Sequence, residues 1–270
     1  MEELKGKSAL ITGGSRGVGF ATAVELVRRG AKVAITARTR ERLEDSRRKL
    51  AEMGGEAVSI VGDVGKKDDA ERMVSEAVDR FGRLDILVNN AGVSMRGRFA
   101  ELSAEVCERV IDTNLVGSIL LSRAAVKHII QTRGHIVFIS SIAGLFGLPG
   151  ASIYCASKGA LSGLCDSLRI ELMPLGVHVG IVYLGYTEHD PEKRILDAEG
   201  TPLPPDRPAH HTQKYAADLI LRLIEKRKRR LIMTPIGNLG ALVHRLSPGL
   251  VEMAVLKAQS SQWKIFKRFS

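Results

Sequence analysis

The sequence predicts an α/β protein built on one doubly wound, mostly parallel, seven-stranded sheet with helices on both faces. Two observations predict this fold class. Short runs rich in Val and Ile, typical of strands that are buried on both faces, alternate with longer helical stretches. The repeated strand–helix units also imply right-handed crossovers, which place helices on both sides of a parallel sheet.

The elements follow one another in a regular order. The predicted strands are SALIT (8–12), KVAIT (32–36), AVSIV (57–61), LDILV (84–88), HIVFIS (135–140), VHVGIVY (177–183) and RLIMT (230–234). The predicted helices cover residues 17–29, 40–53, 67–81, 103–131, 155–173 and 214–227. Gly30, Gly54 and Gly82 follow the first three helices, where a left-handed glycine commonly ends a helix.

One stretch interrupts this rhythm. Residues 186–213 are rich in proline and show no clear period, so we predict a long loop of the kind that is often functional. We predict a single domain over residues 1–236 that contains this loop. Residues 237–270 are predicted to form a basic, amphipathic extension.

Positive charge is concentrated towards the end of the chain. The formal net charge is +10, and the segment from Arg222 to Ser270 holds eleven Lys or Arg against two Glu. The preceding residues are therefore nearly neutral, which favours an appended electrostatic contact over a basic groove along the whole domain. An aromatic content of 4% and the lack of a recognition motif also argue against a nucleic-acid partner.

The sequence gives no sign of export, membrane spanning or metal binding. The acidic start reaches its first strand within a few residues, and no uncharged apolar run approaches the ~18 residues that cross a bilayer. Cys107, Cys155 and Cys165 form no CxxC pair and no ligand spacing with histidine. We expect a cytoplasmic protein without a disulfide framework or a metal site.

A glycine-rich turn, TGGSRGVG (12–19), joins the first strand to the first helix. Its glycines let the backbone turn sharply and let a diphosphate approach, while the helix N-terminus offers free N–H groups and a positive dipole. The candidate cofactor-binding residues here are Gly13, Ser15, Arg16, Gly17, Val18 and Gly19. The alternative is a glycine-rich turn that binds no ligand.

The end of the second strand indicates which nucleotide binds. Folds of this type that prefer NAD usually carry an acidic residue there, but residues 36–40 read TARTR. Arg38 can make a forked contact with a 2′-phosphate, and Arg16 points to the same preference. We predict NADP(H) over NAD(H); the alternative is that both arginines are solvated surface residues.

Several motifs in order give the chain its family resemblance. Asp63-Val64 follows the third strand and Asn89-Asn90-Ala91-Gly92 follows the fourth. Asn114, Ser141, Tyr154 and Lys158 then come at the spacing of a catalytic tetrad. With the glycine turn, this set resembles the short-chain dehydrogenase/reductase family over about residues 6–190, and the resemblance implies a Rossmann-type fold.

The resemblance assigns a role to each of these residues. Tyr154 is expected to protonate the developing alkoxide as hydride arrives, and Lys158 to bind the nicotinamide ribose. Ser141 is expected to hydrogen-bond the substrate oxygen, and Asn114 to hold a water for proton relay. Asp63, Val64, Asn90, Ala91 and Gly92, like Tyr154 and Lys158, are expected to contact the cofactor.

Elementary chemistry supports the Tyr154–Lys158 pair independently. The two residues are four apart, so on a helix they lie on one face. A free phenol has a pKa of ~10, and a neighbouring ammonium favours the phenolate and so makes proton transfer easier at neutral pH.

Each of the other assignments has an alternative. Ser140 could be the active hydroxyl instead, with Ser141 capping the next turn. Asn114 could satisfy buried backbone groups at a helix irregularity. Asn90 and Asp63 could be mainly structural.

The segment after the sixth strand departs from the family pattern. Where the family commonly reads Pro-Gly-x-x-x-Thr along the nicotinamide, this chain has Leu184 in place of the proline and His189 in place of the threonine. Gly185 is kept, so close approach of the cofactor remains feasible. We expect Gly185 and Thr187 to contact the cofactor. The alternatives are that His189 donates instead, or that the contact is lost and His189 is a solvated loop residue.

Apolar residues near the predicted site indicate a lipophilic small-molecule substrate. The expected walls are residues 94–99, residues 145–148 and the 186–213 loop, with Leu145, Phe146, Leu148 and Leu184 as the apolar members. The alternative is that these residues pack the loop or a subunit interface. By resemblance to the family we also expect a homo-oligomer, either a dimer or a tetramer.

The extension suggests where such a substrate is met. A basic run, 226–230, precedes apolar residues at helical spacing, and the ending WKIFKRFS mixes Trp263, Ile265, Phe266 and Phe269 with basic residues. Such a stretch suits peripheral contact with an anionic membrane, as in lipid-acting relatives such as 3-ketosphinganine reductases and certain steroid dehydrogenases. The alternative is packing on the body or on a partner subunit.

Together these features predict an NADPH-dependent carbonyl reductase, or the reverse alcohol dehydrogenase, acting on a lipophilic substrate. Two alternatives stay open at this point. One is a 3-oxoacyl-thioester reductase, and the other is a non-catalytic, NADP(H)-binding regulatory or scaffold protein.

Overall fold

A parallel sheet forms the centre of the molecule. The computed structural model describes residues 4–188, 190–205 and 210–266, with side chains described as far as residue 258. The strands of this part are β1 (Ser8–Thr12), β2 (Lys32–Ala37), β3 (Ala57–Val61), β4 (Ile86–Asn89), β5 (His135–Ser141), β6 (His178–Leu184), β7 (Ile195–Leu196), β8 (Pro202–Leu203) and β9 (Arg230–Ile232). Seven of them pair in the order β3-β2-β1-β4-β5-β6-β9, and every pairing is parallel.

Helices cover both faces of this sheet. They are α1 (Gly17–Arg28), α2 (Arg40–Glu52), α3 (Lys67–Phe81), α4 (Ala104–Ile111), α5 (Gly117–Thr132), α6 (Ser152–Leu172), α7 (Gln213–Glu225), α8 (Pro235–Leu246) and α9 (Pro248–Phe266). Helices α1, α2 and α7 share one hydrophobic core layer with the sheet, and α3, α5 and α6 share the other. The predicted doubly wound, Rossmann-type α/β fold is confirmed.

The strands are apolar throughout because both of their faces are buried. In β1, Ile11 packs in the layer with α1 and α7, whereas its neighbour Leu10 packs in the layer with α3 and α5. The order of strands reverses between β1 and β4, and ligands of such sheets bind at the carboxyl ends beside this reversal. The fold therefore positions the glycine turn after β1 and the NNAG segment after β4 at one crevice.

Two local features differ from the predicted elements. The long helix predicted over residues 103–131 is interrupted by a π-helical turn at Asp112–Val116, because Asn114 turns inward to bond the Val93 backbone. The predicted loop 186–213 contains the two-residue strands β7 and β8, which form an antiparallel hairpin. Strands this short carry no detectable period, so they could not be predicted from the sequence.

Helices α8 and α9 pack against each other beside the carboxyl edge of the sheet. Gly237 and Gly240 let α8 approach closely, since a Cβ at these positions would lie 3.2 Å from Ile142 Cδ1 and from Phe146 Cε1 respectively. The side chains of Trp263, Ile265 and Phe266, and all of Phe269, lie outside the described residues. Among the helices that are described, none combines the length and the apolar character needed to cross a membrane.

Candidate functional site

A cleft of about 210 Å³ opens at the carboxyl ends of β1, β4, β5 and β6. It brings together residues from the glycine turn, the NNAG segment, the strand ends and α6. The predicted site residues that line it are Gly13, Arg16, Gly17, Val18, Gly19, Asn90, Ala91, Gly92, Ser141, Tyr154, Lys158, Gly185 and Thr187. Ser15, Arg38, Asp63, Val64 and Asn114 were also predicted but lie beside or behind this cleft.

The glycine turn is packed against the segment that follows β4. Gly13 has a φ of +64°, and a Cβ there would lie 3.1 Å from both Ala91 Cα and Asn90 Nδ2. The Asn90 side chain donates to Thr12 O at 2.8 Å, and Thr12 Oγ1 accepts from Ala91 N at 2.9 Å. Asn90 thus holds the two segments together, as the structural alternative expected. Arg16 precedes α1 without a side-chain capping bond, so first-turn N–H groups remain for a phosphate.

Lys158 is the buried cation of the cleft. It lies on α6 with 5% of its surface exposed, and Nζ donates to Ile139 O at 2.8 Å. Gly92 allows this approach, because a Cβ there would lie 3.3 Å from Nζ. Burial, helped by the charge of Lys193, lowers the pKa of the Lys158 ammonium from 10.5 to about 8. The group is still mostly protonated at neutral pH.

Tyr154 and Ser141 face the same cleft as Lys158. Tyr154 is half-buried one helical turn before Lys158, so the two side chains share a face of α6. Ser141 ends β5, and its hydroxyl accepts a hydrogen bond from Ala143 N at 3.2 Å. Ser140 also borders the cleft, but its hydroxyl donates to Lys158 O at 2.9 Å and the residue is 3% exposed. Ser141 therefore has the freer hydroxyl.

Asn114 lies behind the cleft and is fully buried in the π-helical turn. Its Oδ1 accepts from Val93 N at 2.7 Å, and its Nδ2 donates to Val93 O at 2.9 Å and to Ser157 Oγ at 3.0 Å. The amide thus fixes the chain just after the NNAG segment. Ser157, which the sequence did not single out, also accepts this bond one residue before Lys158.

The predicted adenosine contacts lie beside the cleft, near the ends of β2 and β3. Arg38 follows β2, and its Nη1 is 3.9 Å from Asp63 Oδ2, with half of the arginine side chain exposed. Asp63 Oδ1 accepts from Gly65 N at 3.0 Å. Val64 is buried against Gly117 of α5, and Ser15 O accepts from Ser46 Oγ of α2 at 2.9 Å. Val64 and Ser15 therefore have clear packing roles.

The segment after β6 keeps its predicted place despite its unusual residues. Leu184 and Gly185 line the cleft, and Thr187 is 6% exposed and forms a β-bridge with His211. Gly185 N donates to Met233 Sδ at 3.4 Å. His189 lies outside the described residues.

The β7–β8 hairpin bonds the segment that follows the NNAG residues. Arg96 N donates to Leu196 O at 2.8 Å and Leu196 N donates to Ser94 O at 2.9 Å, so residues 94–96 and the hairpin form one wall. Met95 and Leu196 belong to a small apolar cluster that reaches Tyr154. Phe146 instead packs against His244 of α8, with ring centroids 6.2 Å apart, which favours the packing alternative for this residue.

Comparison with known proteins agrees with this geometry. Residues 7–200 match the family model described as short chain dehydrogenase. An uncharacterized oxidoreductase of Thermotoga maritima is 43% identical over 187 residues, 69% of this chain and 74% of that protein. An 11-beta-hydroxysteroid dehydrogenase-like protein of Arabidopsis thaliana is 40% identical over 201 residues, 73% of this chain and 67% of that protein.

The chain belongs to the short-chain dehydrogenase family. Solved structures agree in fold. A short-chain dehydrogenase/reductase of Burkholderia phymatum, in complex with NAD, superposes with a TM-score of 0.82 at 23% identity and covers 93% of this chain and 96% of its own. A dehydrogenase/reductase of Sinorhizobium meliloti superposes with a TM-score of 0.75 at 31% identity, covering 85% and 95%.

The cleft also contains residues that were not predicted from the motifs of the short-chain dehydrogenases. Besides the predicted residues, the lining includes Glu188, Asp190, Lys193, Arg194 and Gln213. The sequence analysis reached them only through the irregular segment 186–213 and named none of them. Their charges mean that the loop side of the cleft is strongly polar.

Proposed function

We propose that this protein is an NADP(H)-dependent oxidoreductase that interconverts a carbonyl and an alcohol on a lipophilic substrate, with Tyr154 as the acid/base. The observation that carries this proposal is the convergence of Ser141, Tyr154 and the buried Lys158 on one cleft with the glycine turn. The tight backbone of that turn and the uncapped start of α1 fit a dinucleotide diphosphate.

The chain's own residues would orient the substrate and move one proton. A bound nicotinamide cofactor supplies the hydride that adds to the carbonyl carbon, or accepts it in the reverse direction. The Tyr154 hydroxyl gives its proton to the oxygen that becomes the alcohol, and the Ser141 hydroxyl donates a hydrogen bond to that oxygen. The Lys158 ammonium, held in place by Ile139 O, lowers the free energy of the phenolate that remains.

Kinetics with a panel of ketones test this proposal directly. NADPH oxidation should be measured with steroid, long-chain and 3-oxoacyl-thioester substrates for the wild type and for Tyr154→Phe. We expect turnover of a lipophilic ketone that falls by about 10²–10⁴-fold in the variant while NADPH affinity is nearly unchanged. Near-normal turnover in Tyr154→Phe would refute the role, and no turnover of any carbonyl would favour a non-catalytic nucleotide-binding protein.

The preference for NADP(H) is supported by charge at the end of β2. Arg38 stands there beside Asp63, and residues 36–40 contain no acid that could hold a ribose 2′-hydroxyl. We expect kcat/KM to be higher with NADPH than with NADH. Equal or better values with NADH would contradict this preference.

We also propose that helices α8 and α9 contact an anionic lipid surface. Among the described side chains, α8 exposes Ile236, Leu239, Leu242 and Leu246, and α9 exposes Leu250, Met253 and Leu256. Beyond Pro235 the chain has five Lys or Arg against one Glu. This excess of positive charge in the sequence disfavours pairing of two such ends and favours an anionic lipid partner.

The basic run 226–230 does not take part in this surface. It leads into β9, whose first residue is Arg230, at the amino edge of the sheet, where Arg227 Nη2 donates to Gly176 O at 2.6 Å. The sequence grouped this run with the extension, but the fold separates the run from the start of α8 by the length of a strand.

Vesicle sedimentation tests the lipid contact. The full chain should sediment with vesicles of phosphatidylglycerol more than with neutral phosphatidylcholine. Leu239→Asp combined with Leu246→Asp should reduce this binding without unfolding the chain, because both side chains are more than half exposed. Equal sedimentation of the wild type and the double variant would overturn the proposal.

A further inference from the structure

Three arginines lie near the carboxyl ends of β1 and β2, beside the cleft, and the sequence singled out two of them. Arg16 lies in the glycine turn and Arg38 follows β2. The third, Arg42, is in the first turn of α2, one turn before Ser46, whose hydroxyl bonds the glycine turn at Ser15 O. Arg42 therefore lies on the face of α2 that meets the glycine turn, four residues beyond Arg38.

One acidic residue of the loop 186–213 joins this arginine group. The Glu192 carboxylate forms an ion pair with Arg42, and Arg16 Nη1 donates to Glu192 O at 3.0 Å. Glu192 N in turn donates to Asp190 Oδ1 at 2.8 Å, which fixes the local turn. Both partners of the ion pair are accessible to solvent, with 36% of Arg42 and 62% of Glu192 exposed. A dissolved anion can therefore compete for the same guanidinium.

We infer that Arg42 is a further binding residue for the 2′-phosphate of the cofactor, and that the Glu192 carboxylate occupies the position which this phosphate takes. The inference rests on the proposed preference for NADP(H). A carboxylate and a phosphate both suit the forked geometry of a guanidinium, but the phosphate carries more charge and more acceptor oxygens. Binding of the phosphate displaces Glu192 from Arg42.

Electrostatics agree with a site built for an anion. Burial lowers the pKa of Arg16, and the nearby charge of Arg42 is the next cause. Guanidinium groups held this close repel each other unless an anion lies between them. Glu192 supplies that anion from within the chain, at the cost of competing with the nucleotide.

Small nucleotides isolate binding at these arginines. Dissociation constants of 2′,5′-ADP and of 5′-AMP should be measured by calorimetry for the wild type, Arg42→Met and Arg48→Met. Arg48 is the matched control, because it lies on the same helix, is exposed and pairs only locally with Asp45. We expect Arg42→Met to weaken 2′,5′-ADP about tenfold. Arg48→Met should stay within about twofold of the wild type for both ligands, and Arg42→Met should do so for 5′-AMP.

A second variant tests the displacement itself. Glu192→Gln should tighten 2′,5′-ADP by about threefold, the size expected for loss of a competing surface ion pair. The same substitution in an Arg42→Met background should give no tightening, since the competition is then already removed. An equal gain in both backgrounds would show that Glu192 acts only through the general field and would overturn the displacement.

The outcomes separate this inference from the proposed function. A further variant, Arg38→Met, tests the proposed preference for NADP(H). This preference stands if the wild type binds 2′,5′-ADP tightly and Arg38→Met loses that affinity. If Arg42→Met then behaves like Arg48→Met, Arg42 has no part in the preference. Equal weakening of 5′-AMP and 2′,5′-ADP in Arg42→Met would assign the residue to the diphosphate and overturn the inference. A wild type that binds 2′,5′-ADP no better than 5′-AMP would overturn both.

Discussion

The two edges of the central sheet both hold buried ionisable side chains, but in opposite settings. At the carboxyl edge, Lys158 borders a cleft of about 210 Å³ together with Tyr154 and Ser141. At the amino edge, His135 and His178 begin the adjacent strands β5 and β6. The cavity beside His135 is only about 20 Å³, roughly the space of one water molecule.

The histidines at the amino edge bond each other. Their Nδ1 atoms are 3.0 Å apart, and His178 Nε2 donates to Lys228 O at 2.9 Å. Because His178 carries its proton on Nε2, its Nδ1 accepts the bond that His135 Nδ1–H donates. Burial lowers the pKa of His135 to about 3 and that of His178 to about 4.

A shifted pKa therefore does not by itself mark a functional group in this protein. Both edges lower the pKa of a base through burial, yet only Lys158 lies where a substrate and a cofactor could reach it. Lys158 differs from the histidines in that it borders an open cleft and lies near the Tyr154 phenol and the Ser141 hydroxyl. Substitutions at the two edges should separate accordingly, with activity lost at one edge and pH-dependent stability changed at the other.

Among the variants that compare the two edges, Lys158→Met should have the largest effect. The thioether fills the space of the lysine stem but cannot support the Tyr154 phenolate, so kcat/KM should fall by about 10³-fold. The unfolding free energy should stay within about 1 kcal/mol of the wild type, since a buried cation is removed along with its hydrogen bond to Ile139 O. Steady-state kinetics and denaturant titration check both parts. A loss of less than tenfold in kcat/KM would place Lys158 among the structural groups.

Ser141→Ala should lower kcat by about 10²-fold, because it removes the proposed hydrogen bond to the substrate oxygen. Ser140→Ala is the matched control one residue earlier. It removes the bond to Lys158 O, so it should cost about 1 kcal/mol of stability with a much smaller change in kcat. The reverse pattern would make Ser140 the active hydroxyl.

Asn114→Ala should lower stability and activity together. It leaves the Val93 N–H and C=O without their side-chain partner, at a cost of about 2 kcal/mol in unfolding free energy. Ser157→Ala removes one of the three bonds and should show a smaller loss in both measurements. Lost turnover at unchanged stability would instead indicate a direct part for Asn114 in proton transfer.

The sequence predicted the fold well because its signals are local. The strand 57–61 and the helix 67–81 were located to the residue, since a buried parallel strand and an amphipathic helix differ in period over a few residues. The order of the motifs then brought Ser141, Tyr154 and Lys158 to one edge of the sheet, because strands of a parallel sheet end on the same side.

What the sequence missed depends on contacts between distant segments. Arg42 and Glu192 are 150 residues apart, and His135 and His178 are 43 apart. The spacing of apolar residues along the chain carries no information about contacts between residues so far apart. The sequence analysis considered residues 226–230 together with the extension because the two are close in sequence. In the structure, β9 leads from the amino edge of the sheet, where the run lies, to the carboxyl edge, where α8 begins.

The smallest effect on activity is expected at the histidine pair, which should change the response of stability to acid instead. In the unfolded chain both histidines titrate near 6.5, but in the folded protein their pKa values are about 3 and 4, so the unfolded state binds more protons below neutrality. Their contribution to stability is therefore complete above about pH 7 and is lost as the pH falls, by up to about 1.4 kcal/mol per pH unit for each histidine. The charges of Arg227 on both rings, of Arg169 on His178, and of Lys7 on His135 act in the same direction, and Asp85 opposes them at His135.

Denaturant titrations at pH 7.5, 6.5 and 5.5 should show a weaker pH dependence for the double variant His135→Leu/His178→Leu, with kcat/KM at pH 7.5 unchanged. An identical pH dependence in both proteins would mean that the pair is not held neutral, and a loss of activity would break the contrast between the two edges.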